Sequence, residues 1–135
     1  MSVIIETKNA PAPAGHYAQA ISNNGTVWIS GQLPIRPDGS HCESADFEVQ
    51  AHQAVSNLLA ILEAAGGSPS HLVKVTAYIT GVENWPVFNR VYAGLMGSAC
   101  PARAIVPVPE LHYGFKVEVE GCAVIPENQQ NAQLP

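Results

Sequence analysis

Leu72-Val73-Lys74-Val75-Thr76-Ala77-Tyr78-Ile79-Thr80 alternates in character along its length, and reading it as a strand decides the fold. Successive strand side chains point to opposite faces, so Val73, Val75, Ala77 and Ile79 share one face and Lys74, Thr76 and Tyr78 the other. Its neighbours divide the same way. The apolar set gains Val27 and Ile29, then Ala104, Val106 and Val108, then Phe115, Val117 and Val119. The mixed set gains Trp28 and Ser30, then Arg103 and Ile105, then Lys116, Glu118 and Glu120. In all, six strands are predicted, at Val3–Ile5, His16–Ile21, Thr26–Ser30, Leu72–Thr80, Ala102–Val108 and Phe115–Ile125. Asn23-Asn24-Gly25 makes a hairpin of the second and third, because Asn-Gly accepts positive φ.

Two helical patterns interrupt the strands. From about Ala45 to Ala65, the stripe Ala51, Val55, Leu58, Leu62 and Ala65 is widened by Ala54, Leu59 and Ile61, and Gly66-Gly67 ends it. Asn84 with Pro86 opens a second helix, carrying Phe88, Val91, Tyr92 and Leu95 at i, i+3, i+4 and i+7. Both should cover the apolar face of the sheet, giving an α+β domain. That leaves the mixed face bare. With Trp28, Tyr78 and Ile105 it is too apolar for open water and too polar for a closed core, so it reads as a subunit interface.

A chain of 135 residues suits one domain, read as residues 1–125 with a Gln/Asn-rich tail at 126–135. Charged residues are only 13%, which suggests a surface partly covered by copies of itself. The net charge of −5, with basic residues scattered singly, argues against a nucleic-acid partner. No basic-plus-apolar leader and no apolar run of membrane length is read, so no membrane partner is expected. Cys42, Cys100 and Cys122 form no CxxC pair and read as reduced thiols of a cytoplasmic protein, Cys100 and Cys122 as buried small hydrophobes. The five histidines show no HxH or HxxxH spacing, and no metal site is expected.

Chemistry concentrates at Arg103, in Cys100-Pro101-Ala102-Arg103-Ala104. A guanidinium is a two-pronged receptor for a carboxylate, and a permanent cation on an apolar strand needs a partner. Lys116-Val117-Glu118-Val119-Glu120 places carboxylates on a second apolar strand. A small-acid site and an ion pair between Arg103 and Glu118 or Glu120 both satisfy this pattern.

Six stretches then carry a resemblance across Gly15 to Val124. They are Gly15-His16-Tyr17-Ala18-Gln19-Ala20, Ile29-Ser30-Gly31-Gln32-Leu33-Pro34, Val55 to Gly66, Val87-Phe88-Asn89-Arg90-Val91-Tyr92, Pro101-Ala102-Arg103 and Val117-Glu118-Val119-Glu120. In order and spacing the chain resembles the Rid family, the reactive-intermediate deaminases also called YjgF proteins. The resemblance implies a chorismate-mutase-like subunit, a six-stranded mixed sheet with two helices on one face. It further implies a homotrimeric barrel with clefts between neighbours. Active members hydrolyse 2-enamino and 2-imino acids to 2-oxo acids and ammonia, a hydrolase chemistry without metal or organic cofactor. By the same resemblance Arg103 matches the carboxylate clamp and Glu118 the residue that positions or activates water. Tyr17, Ser30 and Asn89 match polar residues lining the cleft, and Gly31 matches a position where backbone approaches the ligand.

The chain departs from the archetypal branch of that family at His16, at Ala104-Ile105, and in the loop Pro107–Gly114 with His112. These positions should border the cleft, which makes Ile105 and His112 candidate substrate contacts and suggests a larger or cyclic imine in place of 2-aminoacrylate. The expected ligand is a small 2-imino or 2-oxo acid. The competing expectation is a non-catalytic trimer that binds small carboxylates or regulates through them.

Overall fold

The computed structural model describes residues 1–126, so the expected tail lies, but for Pro126, outside the described residues. Six strands form one sheet in the order β1-β2-β3-β6-β4-β5. They are β1 (Val3–Ile5), β2 (Ala20–Asn23), β3 (Thr26–Gln32), β4 (Leu72–Ile79), β5 (Ala102–Pro107) and β6 (Val117–Val124). All neighbours pair antiparallel except β4 and β5, which are parallel and are joined through a helix, as parallel strands require. The sheet is therefore mixed, as expected.

The elements follow from local chemistry. Asn24 and Gly25 both take positive φ (50° and 87°), so β2 turns into β3 through the two-residue loop that Asn-Gly favours. Helix α1 (Phe47–Ala64) starts where the Asp46 carboxylate accepts a hydrogen bond from the Val49 amide at 3.0 Å. It ends at Gly66, whose φ of +91° a residue with a Cβ would resist. Helix α2 (Trp85–Met96) has Pro86 in its first turn and Gly97 just beyond its end.

Both helices share one core with one face of the sheet. Ala51, Val55, Leu58, Ile61 and Leu62 of α1 and Phe88 and Met96 of α2 are buried with Val27, Ile29, Val75, Ala77, Ile79, Val117 and Val119. Each of the large side chains in this set contributes roughly 1.5–3 kcal/mol by leaving water. On the other face Trp28 and Val124 are exposed, and Tyr78 and Glu118 half-buried. None of the helices among the described residues is long and apolar enough to cross a membrane.

Four expectations are corrected. The strand expected at His16–Ile21 is Ala20–Asn23, and residues 15–17 bend instead, with the Tyr17 amide donating to the Gly15 carbonyl. Val73 is 46% exposed, because an irregularity between Leu72 and Lys74 gives Leu72 the core position. Most consequentially, β5 is turned over. Arg103 pairs with Val75 and Ile105 with Ala77, so both lie on the helix side, while Ala104 and Val106 lie on the open side. Both alternate sets of this strand are apolar enough to face a core, and a slip of one residue exchanges them. The cysteines also differ, since Cys100 is exposed and Cys122 only partly buried.

Candidate functional site

The eight residues singled out from sequence fall into two groups on opposite sides of the sheet. Arg103, Asn89 and Ile105 lie on the helix side at the β5 edge. Tyr17, Ser30, Gly31, His112 and Glu118 line one cleft of about 440 Å³ at the ends of β3 and β6.

The first group is built around the guanidinium. Arg103 donates to the Asn89 side-chain oxygen at 3.0 Å, and its Cζ lies 4.9 Å from the Tyr92 ring and 5.8 Å from the Trp85 ring. All three partners come from α2. Two aromatic faces and one amide hold the cation without neutralising it. Among the described residues no carboxylate lies within ion-pairing distance of Arg103, so it does not pair with Glu118 or Glu120 of its own chain. The Tyr92 hydroxyl is buried without a hydrogen-bond partner, and that burial pushes its pKa up. Ile105 packs against the core and does not line the cleft of its own chain.

The second group contains one carboxylate, Glu118. A Cβ placed on Gly31 would lie 2.5 Å from the Glu118 Oε2, so the missing side chain makes room for the carboxylate. Burial raises the pKa of Glu118, nearby Glu120 raises it further, and His112 opposes them. Glu120 is itself held by the Tyr78 hydroxyl, which donates to it at 3.2 Å. Ser30 donates its hydroxyl proton to the Ala18 carbonyl at 2.6 Å, which leaves its oxygen as an acceptor. Tyr17 folds back over the segment preceding β2, where its hydroxyl accepts from the Ala14 amide at 3.1 Å. His112 is exposed in a single turn, residues 112–114. His16 lies outside the cleft.

Three buried carboxamides that sequence reading passed over fix the cleft. Gln19 accepts from the Thr7 amide at 2.7 Å and donates to the Pro11 carbonyl at 2.9 Å. Asn57 on α1 donates to the carbonyls of Leu33 at 3.2 Å and Ile35 at 2.8 Å. Gln50 accepts from the Lys116 amide at 2.9 Å, two residues before Glu118. The only sequence signal for them is a polar residue on an otherwise apolar stripe. Among the described residues no three His, Cys, Asp or Glu side chains gather to hold a metal ion.

Comparison with known proteins extends over nearly the whole chain. The family described as endoribonuclease L-PSP matches residues 7–125. A RutC family protein of Pyrococcus horikoshii is 39% identical over 91% of this chain and 98% of its own length. A bovine protein named 2-iminobutanoate/2-iminopropanoate deaminase is 37% identical over 90% of this chain and 88% of its own. Among solved structures, YyfA of the conserved Rid family from Yersinia pestis is 41% identical with a TM-score of 0.88, covering 93% of this chain and all of that one.

Proposed function

The chain belongs to the endoribonuclease L-PSP family, the Rid family of the sequence resemblance, and from that premise we propose that it hydrolyses 2-imino acids and their 2-enamino tautomers to 2-oxo acids and ammonia. One observation carries this reading: the chain holds two complementary half-sites that it cannot join. Arg103 is a cation without a carboxylate, Glu118 lies in a cleft without an arginine, and the sheet stands between them. A second copy supplies what each half lacks, its β5 edge bringing Arg103 to the first copy's cleft. The assembly is a closed homotrimer joined through the open sheet faces, where exposed Trp28 and Val124 are covered.

In that shared cleft the Arg103 fork takes both carboxylate oxygens of the substrate, held in pose by Asn89 and the two rings. The imine carbon is electrophilic once its nitrogen is protonated. Glu118 takes a proton from water as the water oxygen bonds to that carbon. The same carboxyl then returns a proton to nitrogen as the carbon–nitrogen bond breaks. Ammonia leaves, and loss of the remaining hydroxyl proton gives the 2-oxo acid. Binding of RNA finds no electrostatic support, with six basic residues against eleven acidic ones.

The test is ammonia and 2-oxo acid release from imines generated in situ by an L-amino-acid oxidase. Acceleration that Arg103→Ala lowers by about a hundredfold or more supports the reading. No acceleration on any imine, with small-carboxylate binding still dependent on Arg103, replaces it with the non-catalytic receptor.

A further inference from the structure

Among the described residues only two non-glycine residues have positive φ. Asn24 belongs to the hairpin. The other is Tyr113, at φ 62° and ψ 12°, followed by Gly114 at φ 75°. Asn tolerates this region, whereas a large side chain enters it only when its surroundings hold it there. The surroundings of Tyr113 are aromatic. Its ring meets His41 edge-on at 4.8 Å between centroids and Phe115 at 5.8 Å, and Phe115 is itself buried. Yet 55% of Tyr113 is exposed, so the strained turn does not serve to bury it. It sets a braced, flat apolar surface at the cleft wall.

The rest of that wall matches. Pro11, Pro13, Leu33 and Ile35 offer carbon, while Glu118 and His112 supply the carboxylate and the imidazole of the lining. The wall is also rigid. Asn57 pins the carbonyls of Leu33 and Ile35, and Gln19 pins that of Pro11. The cleft of a single chain encloses about 440 Å³, before the second copy's β5 edge closes it.

We infer that this cleft selects 2-imino acids with a branched or aromatic side chain, and that Tyr113 is the residue that determines this specificity by packing against that side chain. The inference rests on the deaminase reading of the same cleft. It assigns that cleft two ends, a polar one for the reacting carbon and an apolar one for the substituent.

The experiment compares kcat/KM for imines made from phenylalanine, leucine and alanine in the wild-type protein, Tyr113→Phe and Tyr113→Gly. Glycine removes the ring and suits the backbone, and a ratio between two substrates does not depend on how much protein is folded. The expected result is a preference for the phenylalanine- and leucine-derived imines of about tenfold or more, kept by Tyr113→Phe and lost by about tenfold in Tyr113→Gly. A wild-type preference for the alanine-derived imine overturns the inference and leaves the deaminase standing. So does a ratio unmoved by Tyr113→Gly. Absence of turnover on every imine overturns the deaminase instead. Calorimetric binding of phenylpyruvate against pyruvate, in the wild type and in Tyr113→Gly, then decides the side-chain preference in the same two directions.

Discussion

Glu118 lies against Gly31 so closely that a single methyl group would displace it. In Gly31→Ala the fold should persist, because the atom that must move ends a side chain, while activity should fall by about a hundredfold from misplacement alone. Steady-state kinetics beside a thermal melt separates the two effects. The same carboxyl sets the pH profile. Water activation needs it ionised, so activity falls as pH drops through its pKa. Because burial and Glu120 raise that pKa, the acid limb of kcat/KM should lie above the ordinary carboxylate range. Glu120→Gln removes a like charge and should move the limb to lower pH. His112→Ala removes the opposing influence and should move it to higher pH. A limb that ignores both substitutions would assign it to another group.

Among the elements, the lesson lies in which strands could be read by alternation. In β3, β4 and β6 one set of positions is plainly apolar, and Val27, Val75, Ala77, Val117 and Val119 are buried as that pattern requires. In β5 the sets Ala104-Val106 and Arg103-Ile105 differ too little, and the register against β4 decides what composition cannot. Arg103, the proposed carboxylate receptor, is therefore legible as a residue type but not as a position. Its aromatic seat came from α2, where Tyr92 looks like any apolar stripe residue until β5 is docked. Asn57 was illegible for a related reason, since the carbonyls it satisfies are twenty-two and twenty-four residues away. Asn57→Leu should lower stability by roughly 1–3 kcal/mol, because two inward carbonyls lose their donor. Urea denaturation measures this, and a neutral result would mean that water replaces the amide.

For the molecule as a whole, the two proposed half-sites on opposite faces make a prediction that no single-chain enzyme shares. Arg103→Ala and Glu118→Gln should each be nearly inactive, the second by about 10²–10⁴. Unfolded together in equal amounts and refolded, they should recover about one quarter of wild-type activity, since each half of a shared site is intact with probability about one half. Recovery absent from refolded mixtures that have exchanged chains, as mass spectrometry would show, refutes the shared cleft. The sequence disclosed this arrangement only in part. It marked one sheet face as too apolar to stay wet, but put Arg103 on that face, whereas the observed topology divides the functional groups between two surfaces.

The two tryptophans divide in the same way. Trp28 stands exposed on the open sheet face, and Trp85 lies beside the Arg103 guanidinium. Each indole thus sits where one step of the proposed function would change its surroundings. Covering the open face transfers Trp28 from water to an apolar contact and should shift its emission to shorter wavelength. A carboxylate arriving at Arg103 alters the field at Trp85 and should change its intensity. With Trp28→Phe or Trp85→Phe to isolate each signal, the unlabelled protein becomes a two-channel optical instrument, one channel reporting assembly and the other occupancy.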